Sequence, residues 1–152
     1  MLIKSNKGAI TIMKKRFRLL AFQALIACVT LIFCSTVFFR EMQSNCKYDL
    51  RPFWSYKAIL NGKESLVTEN IMNIVMFMPV GFLLGVAFMK IRWKAVLFIG
   101  LFLSIGIETL QFVYSKGFTE VDDVMHNTLG CVIGYGFLCG MGKVIGGQSL
   151  EK

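Results

Sequence analysis

The sequence predicts an all-α membrane protein, a bundle of four transmembrane helices. Of its 152 residues, 55% are hydrophobic, and the mean hydropathy is +0.61. A soluble domain of this length is much less apolar. The apolar residues fall into four runs, each close to the length of about 20 residues that a helix needs to cross the hydrocarbon core. These runs lie near 19–39, 71–89, 95–114 and 124–145.

A single membrane domain, 17–146, accounts for almost the whole chain, between a basic N-terminus, 1–16, and a short tail, 147–152. The first apolar run is longer than the core of a signal peptide, and no small-residue cleavage site follows it. We therefore expect an uncleaved first span. Met13, which precedes a basic cluster, is as natural a start as Met1.

The net charge of +8 is distributed as in a membrane protein, so we expect no nucleic-acid partner. If all four runs cross the membrane, eleven basic residues share one side with the two termini and the loop 90–94. The other side carries six basic residues in longer loops, beside seven acidic residues. The positive-inside rule then predicts cytoplasmic termini and outward-facing first and third loops.

The five cysteines have no spacing typical of a metal site or of a CxxC redox motif. Four of them lie within the predicted spans, where a cysteine usually packs as a small hydrophobic side chain. Cys46 is alone in the first outer loop. We therefore predict no intramolecular disulfide.

The first outer loop, 40–70, contains aromatic side chains of the type that settles at membrane interfaces, namely Phe53, Trp54 and Tyr56. We predict a short interfacial helix over 54–60, ended by the turn-forming pair Asn61-Gly62. Arg51, just before it, either belongs to this membrane anchor or faces the acidic residues or a ligand.

Three predicted spans carry a polar stripe at their outer ends, because residues at i, i+4 and i+7 share one face of a helix. Further into the membrane the stripes change to small or apolar residues, which suit close helix packing. We expect the polar ends to meet near the outer membrane surface. Their members are Asn73, Glu108, Gln111, Asp123 and Asn127.

Glu108 marks a candidate site, because an ionisable residue inside an apolar run is costly unless it is paired or hydrated. The polar residues could form a hydrogen-bonded plug that only fixes helix packing, or an outward-facing pocket for an amphiphile. Adding the acidic third loop and Arg51, the candidate ligand-binding residues are Arg51, Asn73, Glu108, Gln111, Asp122, Asp123 and Asn127.

Two chemical interpretations also remain open. Glu108 could be a protonated acid with Asp122 or Asp123 as base, since such chemistry needs two carboxyl groups in unlike environments. The same three residues, with His126, could hold a divalent cation. However, their spacing matches no metal motif, and no nucleotide fingerprint is present, so we expect neither a metal nor another cofactor.

The fourth span is rich in glycine, which also suits packing against another subunit. A packing subunit of a larger complex, or an oligomer formed through this span, is therefore a further hypothesis. The glycines are Gly130, Gly134, Gly136 and Gly140, of which the last two would form a second close-approach pair.

Four short motifs, in this order, resemble those of the VanZ-like family. They are LRPF at 50–53, NIVMFMPVG at 73–81, ETLQ at 108–111 and EVDDVMHNTLG at 120–130, followed by Gly134-Tyr135. The resemblance extends from about residue 17 to residue 145. Lys116-Gly117 stands where many relatives have Arg, and Glu120 where many have Asp.

The resemblance implies a small multi-pass protein of the bacterial cell membrane, in contact with membrane lipids. The family's founding member lies in a vancomycin-resistance cluster and lowers sensitivity to teicoplanin, a glycopeptide that carries a lipid. The implied function is lower sensitivity to such lipoglycopeptides, or handling of a related amphiphile. The alternative is a membrane enzyme that acts on a lipid-linked envelope precursor. The resemblance assigns no catalytic residue.

Overall fold

A computed structural model describes residues 2–42 and 47–146, and these form a helical bundle. Cys46 and the predicted tail, 147–152, lie outside the described residues. The long helices are α1 (Leu2–Phe33), which a π-helical segment (Cys34–Phe38) continues, α3 (Ser65–Ala87), α4 (Trp93–Val113) and α5 (Val121–Gly146). The short elements are β1 (Lys47–Asp49), α2 (Trp54–Leu60) and β2 (Phe118–Glu120).

Each long helix contains a segment long and apolar enough to cross a membrane: Ile12–Phe38, Ser65–Ala87, Trp93–Val113 and Val121–Gly142. The predicted four-span all-α membrane fold is thereby confirmed. The short helix predicted over 54–60 is confirmed as α2. The second span begins at Ser65 rather than at Ile71, because hydropathy finds the apolar part of a helix and misses its polar first turns.

α3 and α5 form the central helix pair, α4 packs on α5, and α1 packs on α3. Glycine allows the backbones of α3 and α5 to approach closely. A Cβ atom on Gly130 would overlap the carbonyl oxygen of Ile74, and one on Gly134 would overlap that of Met78. By contrast, a Cβ on Gly136 or Gly140 would meet no described atom within 4 Å. These two therefore form no close-approach pair within the described part of the chain.

The bundle has a polar end and a basic end. The polar end comprises β1, α2, β2 and the first turns of α5, and β1 pairs with β2 in parallel from Lys47–Phe118 to Asp49–Glu120. The basic end comprises the α3–α4 loop, 88–92, with residues 13–18 of α1 and 138–142 of α5. The strands were not predicted, because three residues are too few to show an alternating pattern.

Candidate functional site

Asp122, in the first turn of α5, holds the start of α2. Its Oδ1 accepts a hydrogen bond from the Phe53 N–H at 2.6 Å. Its Oδ2 accepts bonds from the Ser55 N–H at 2.9 Å and the Ser55 hydroxyl at 2.6 Å. N–H groups at a helix start lack intrahelical acceptors, so Asp122 caps α2 from another helix.

This cap is fully enclosed, since Asp122 and Ser55 are both 0% exposed. It also stabilises Phe53 in the left-handed region, at φ 63°, a conformation that is unusual for a residue other than glycine. Asn70 of α3 donates to the Ser55 hydroxyl at 3.2 Å. The three donors on its carboxylate show that Asp122 fixes the position of α2.

Tyr56 provides a second attachment of α2 to α5. Its hydroxyl lies 2.8 Å from Nε2 of His126, and the two rings are 5.6 Å apart. His126 is buried, and its Nδ1 has no hydrogen-bond partner among the described residues. The aromatic residues of the first loop therefore contribute polar contacts to the bundle.

The Glu108 carboxyl group is hydrogen-bonded to the backbone of Glu120. The Glu120 N–H donates to Oε2 of Glu108 at 3.1 Å, and the Trp54 indole N–H donates to Oε2 of Glu120 at 2.9 Å. Both carboxyl groups are buried. Burial, with the nearby charge of Asp123, raises the pKa of Glu120 to about 8. Most Glu120 carboxyls are therefore protonated near neutral pH and can donate a hydrogen bond.

Glu108 and Glu120 line a cavity of about 470 Å³ between α4 and the β2–α5 segment, which we call the carboxylate cavity. Its other walls are mainly apolar, with two threonine hydroxyls among them. Its volume falls within the range typical of small-molecule sites. The remaining lining residues are Tyr48, Leu50, Ile105, Thr109, Phe112, Thr119, Val121 and Val124.

Asp123 lies beside these carboxyl groups and has its own partners. Its Oδ1 accepts a hydrogen bond from the Asn73 amide at 2.7 Å. Arg40 interacts electrostatically with both Asp123 and Glu108. Gly117, at φ 95°, makes room for this arginine, because a Cβ there would lie 2.7 Å from the Arg40 Nε. Glu108 and Asp123 therefore have a cation, Arg40, near them.

Gln111 and Asn127 bond to other parts of the bundle. Gln111 donates to the carbonyl of Thr36, in the π-helical segment, at 3.1 Å. Asn127 donates to the Ser104 hydroxyl at 2.9 Å. The side-chain oxygens of both amides are buried with no hydrogen-bond partner in the part of the chain that the structure describes. These residues link helices away from the carboxylate cavity.

Arg51 forms a bidentate ion pair with Asp49, two residues away. Its side chain is 81% exposed. The hydrogen bonds from Arg51 lower the pKa of Asp49 to about 2. Arg51 therefore contacts its own loop and not the acidic residues of the helices.

Of the seven predicted ligand-binding residues, the structure places Asn73, Glu108 and Asp123 in one group, and of the seven only Glu108 lines the cavity. Gln111, Asn127 and Arg51 bond elsewhere, and Asp122 caps α2. The sequence interpretation treated Trp54 and Tyr56 as membrane anchors and missed their polar contacts. Their N–H and O–H groups were a usable signal, since such groups find partners when buried.

Metal binding and acid/base chemistry depend on which carboxyl groups converge. Among the described residues, no three His, Cys, Asp or Glu side chains could hold a metal ion. Asp122 lies outside the carboxylate cavity, whereas Glu108 and Glu120 share it. The cavity thus combines two carboxyl groups with mainly apolar walls.

The sequence is similar to those of known proteins over most of its length. Residues 19–142 match the family model VanZ/LLP1. Protein VanZ of Enterococcus faecium is 38% identical over 66 residues, which cover 43% of this chain and 41% of that protein. The alignment thus spans about two fifths of the relative's length. No solved structure matches. Because the family match extends over most of a four-span chain, this multi-pass membrane protein belongs to the VanZ/LLP1 family.

Proposed function

We propose that the protein binds the lipid-bearing part of an envelope amphiphile in the carboxylate cavity, and so lowers the sensitivity of the cell to teicoplanin-type lipoglycopeptides. The observation that carries this proposal is the composition of the cavity: apolar walls with Glu108 and Glu120 among them. An acyl chain would contact the apolar walls. Amide, hydroxyl or cationic groups of the ligand would bond to the two carboxyls.

The protonation of Glu120 supports a ligand with both donor and acceptor groups. A protonated carboxyl donates through its O–H and accepts through its carbonyl oxygen. The side chains of Tyr48 and Phe112 pack edge to face in the cavity wall, with ring centroids 5.8 Å apart. Both are about half exposed, so an amphiphile could cover apolar surface that is otherwise exposed.

Charge topology supports an outward-facing cavity. Lys and Arg are concentrated in the N-terminal segment and the loop 90–94, at the opposite end of the bundle from the polar end. The positive-inside rule then predicts that the polar end faces away from the cytoplasm. A site there would be reached from the outer leaflet of the membrane.

Expression in a glycopeptide-sensitive Gram-positive host tests the proposal. We expect the inhibitory concentration of teicoplanin to rise several-fold. That of vancomycin, which carries no acyl chain, should rise less.

Ile105→Trp, which fills the cavity, should abolish protection. Phe102→Trp is the matched control, because Phe102 lies on the same helix outside the cavity and is 69% exposed. No change in teicoplanin sensitivity at normal membrane levels of the protein would contradict the proposal.

A membrane enzyme that acts on a lipid-linked envelope precursor is the second candidate. One observation favours it: two buried carboxyl groups share a single cavity. Glu108→Gln separates the candidates, because the amide keeps an oxygen acceptor for the Glu120 N–H but cannot transfer a proton in the same way. Full protection by this variant would exclude acid catalysis at Glu108. Lost protection with unchanged teicoplanin binding to the purified protein would favour chemistry.

A further inference from the structure

A second cavity, of about 650 Å³, lies at the basic end between α1, α3 and α5. Both α1 and α5 pack on α3 but make little contact with each other, which leaves a groove between them. Its walls are apolar and include Phe17, Val86, Leu138 and Met141. We call it the basic-end groove.

Two cations, Lys14 and Arg18, line this groove one turn apart on α1. Like charges at i and i+4 repel each other, and among the described residues no acid lines the groove to offset them. The groove-lining parts of α1 and α3 and the loop 88–92 contain no Asp or Glu, and Glu151, which follows α5, lies outside the described residues. The described groove therefore has two positive charges and no negative charge.

Arg18 is fixed in place by α3. Its Nε donates to the carbonyl of Ala87 at 3.1 Å, in the last turn of α3, where helix carbonyls lack intrahelical donors and attract cations. The Nε contact leaves the two terminal guanidinium nitrogens for an acceptor, and the planar guanidinium suits phosphate. The groove therefore has one cation that is anchored to α3, a second cation on the same helix, and apolar walls.

We propose that the basic-end groove binds one anionic membrane phospholipid. Its phosphate bonds to Lys14 and Arg18, and an acyl chain lies along Phe17 and Leu138. Charge complementarity argues for this occupant, since basic pockets between transmembrane helices are typical sites for anionic lipid headgroups. A zwitterionic lipid would bring its own cation beside the two that are already present.

Native mass spectrometry of the purified full chain tests the proposal. The protein is equilibrated in mixed micelles of phosphatidylcholine with increasing phosphatidylglycerol. We expect one phosphatidylglycerol to be retained in preference to phosphatidylcholine. A basic residue near a membrane surface contributes about fivefold in binding of anionic lipid. Lys14→Gln should therefore weaken retention about fivefold, and Lys14→Gln with Arg18→Gln about 25-fold.

The matched control is Lys57→Gln with Lys63→Gln, which removes the same charge at the polar end of the bundle. It should leave phosphatidylglycerol retention unchanged. Met141→Trp, which fills the groove and keeps both cations, should weaken retention and so report the acyl-chain contact without touching the Arg18–Ala87 bond.

Four outcomes would overturn the proposal. Equal retention of phosphatidylcholine would remove the requirement for an anion. An equal loss in the control variant would indicate non-specific attraction by net charge. Competition by inorganic phosphate at the same concentration as the lipid would indicate an anion site that does not use the apolar walls. A stable dimer whose formation is blocked by Met141→Trp would identify a second copy of the chain as the occupant instead.

Discussion

At the polar end, carboxyl, amide and hydroxyl groups are buried and held by contacts between elements far apart in the chain. At the basic end, two exposed cations, Lys14 and Arg18, line an apolar groove. Asp122 accepts three hydrogen bonds with 0% exposure, whereas Arg18 has one bond, to Ala87. Burying a charge requires partners that replace water. The polar end has these partners, and the basic end leaves its charges accessible.

Within the polar end, neighbouring acids have different surroundings. Asp122 is saturated by the first turn of α2, Asp123 is paired with Asn73, and Glu120 is placed beside Glu108 at a cavity. Residues one apart in a helix point about 100° apart around its axis, so Asp122 and Asp123 meet different elements. The acids of the segment 120–123 therefore do not form one site, because each has different partners.

The largest expected effect concerns the close contact between the backbones of α3 and α5. Gly130→Ala should destabilise the fold by about 3 kcal/mol, because its Cβ would overlap the backbone of Ile74. Gly85→Ala, towards the basic end, should cost about 1 kcal/mol or less. There the Cβ would lie 2.5 Å from a Leu138 methyl group, which can move.

Thermal unfolding in detergent, followed by circular dichroism, measures both variants. Gly136→Ala is the control, because open space surrounds Gly136 within the described residues. Equal destabilisation at Gly130 and Gly85 would contradict the expectation that the helices are packed more tightly at Gly130 than at Gly85.

The next effect concerns the cap of α2. Asp122→Asn should cost about 2–3 kcal/mol, because a buried carboxylate acceptor is replaced by a group that places N–H donors against the donors of Phe53 and Ser55. Amide hydrogen exchange at residues 53 and 55 should accelerate. Glu64→Gln, an exposed carboxyl change in the same region, is the control. Unchanged exchange in Asp122→Asn would mean that α2 does not depend on this cap.

A smaller effect is expected in the dependence of stability on pH. The pKa of Glu120 in the folded protein is about 8, above its ordinary value of 4.5. Between these values the folded state binds more protons than the unfolded state, so stability falls as pH rises. Glu120→Gln should make this fall shallower. Melting temperatures across this pH window measure the slopes. A wild-type slope in Glu120→Gln would contradict the protonated state of Glu120.

The smallest effect is expected at Arg51. Arg51→Gln should leave the melting temperature and teicoplanin protection unchanged at neutral pH, because the guanidinium is mostly exposed and pairs only with Asp49 among the described acids. Exposed ion pairs contribute little to stability. Loss of protection at normal protein levels would show instead that Arg51 contacts a ligand.

Much of the architecture could be predicted from local sequence. The four spans follow from apolar runs of membrane length, and α2 from an aromatic segment closed by Asn61-Gly62. The three-residue strands could not be predicted, because their pairing depends on two loops that are distant in sequence. Glu108 was recognised as unusual because an acid in an apolar run is conspicuous whatever it contacts.

The contacts of the candidate site could not be predicted from local sequence, because they join residues that are far apart in the chain. Asp122 and Phe53 are 69 positions apart, Tyr56 and His126 are 70 apart, and Trp54 and Glu120 are 66 apart. Helical spacing predicts which residues share a face. It does not predict which way the face is turned in the bundle.

The sequence by itself therefore determined the membrane class, the four spans, the family motifs and the presence of an acidic group near Glu108. Only the tertiary structure decided that Asp122 caps α2, that Glu108 and Glu120 share a cavity, and that Gln111 and Asn127 bond elsewhere. The physical reason is that hydropathy and helical periodicity are properties of neighbouring residues. The rotation and approach of helices depend on packing along their whole length, including the glycine contacts between α3 and α5.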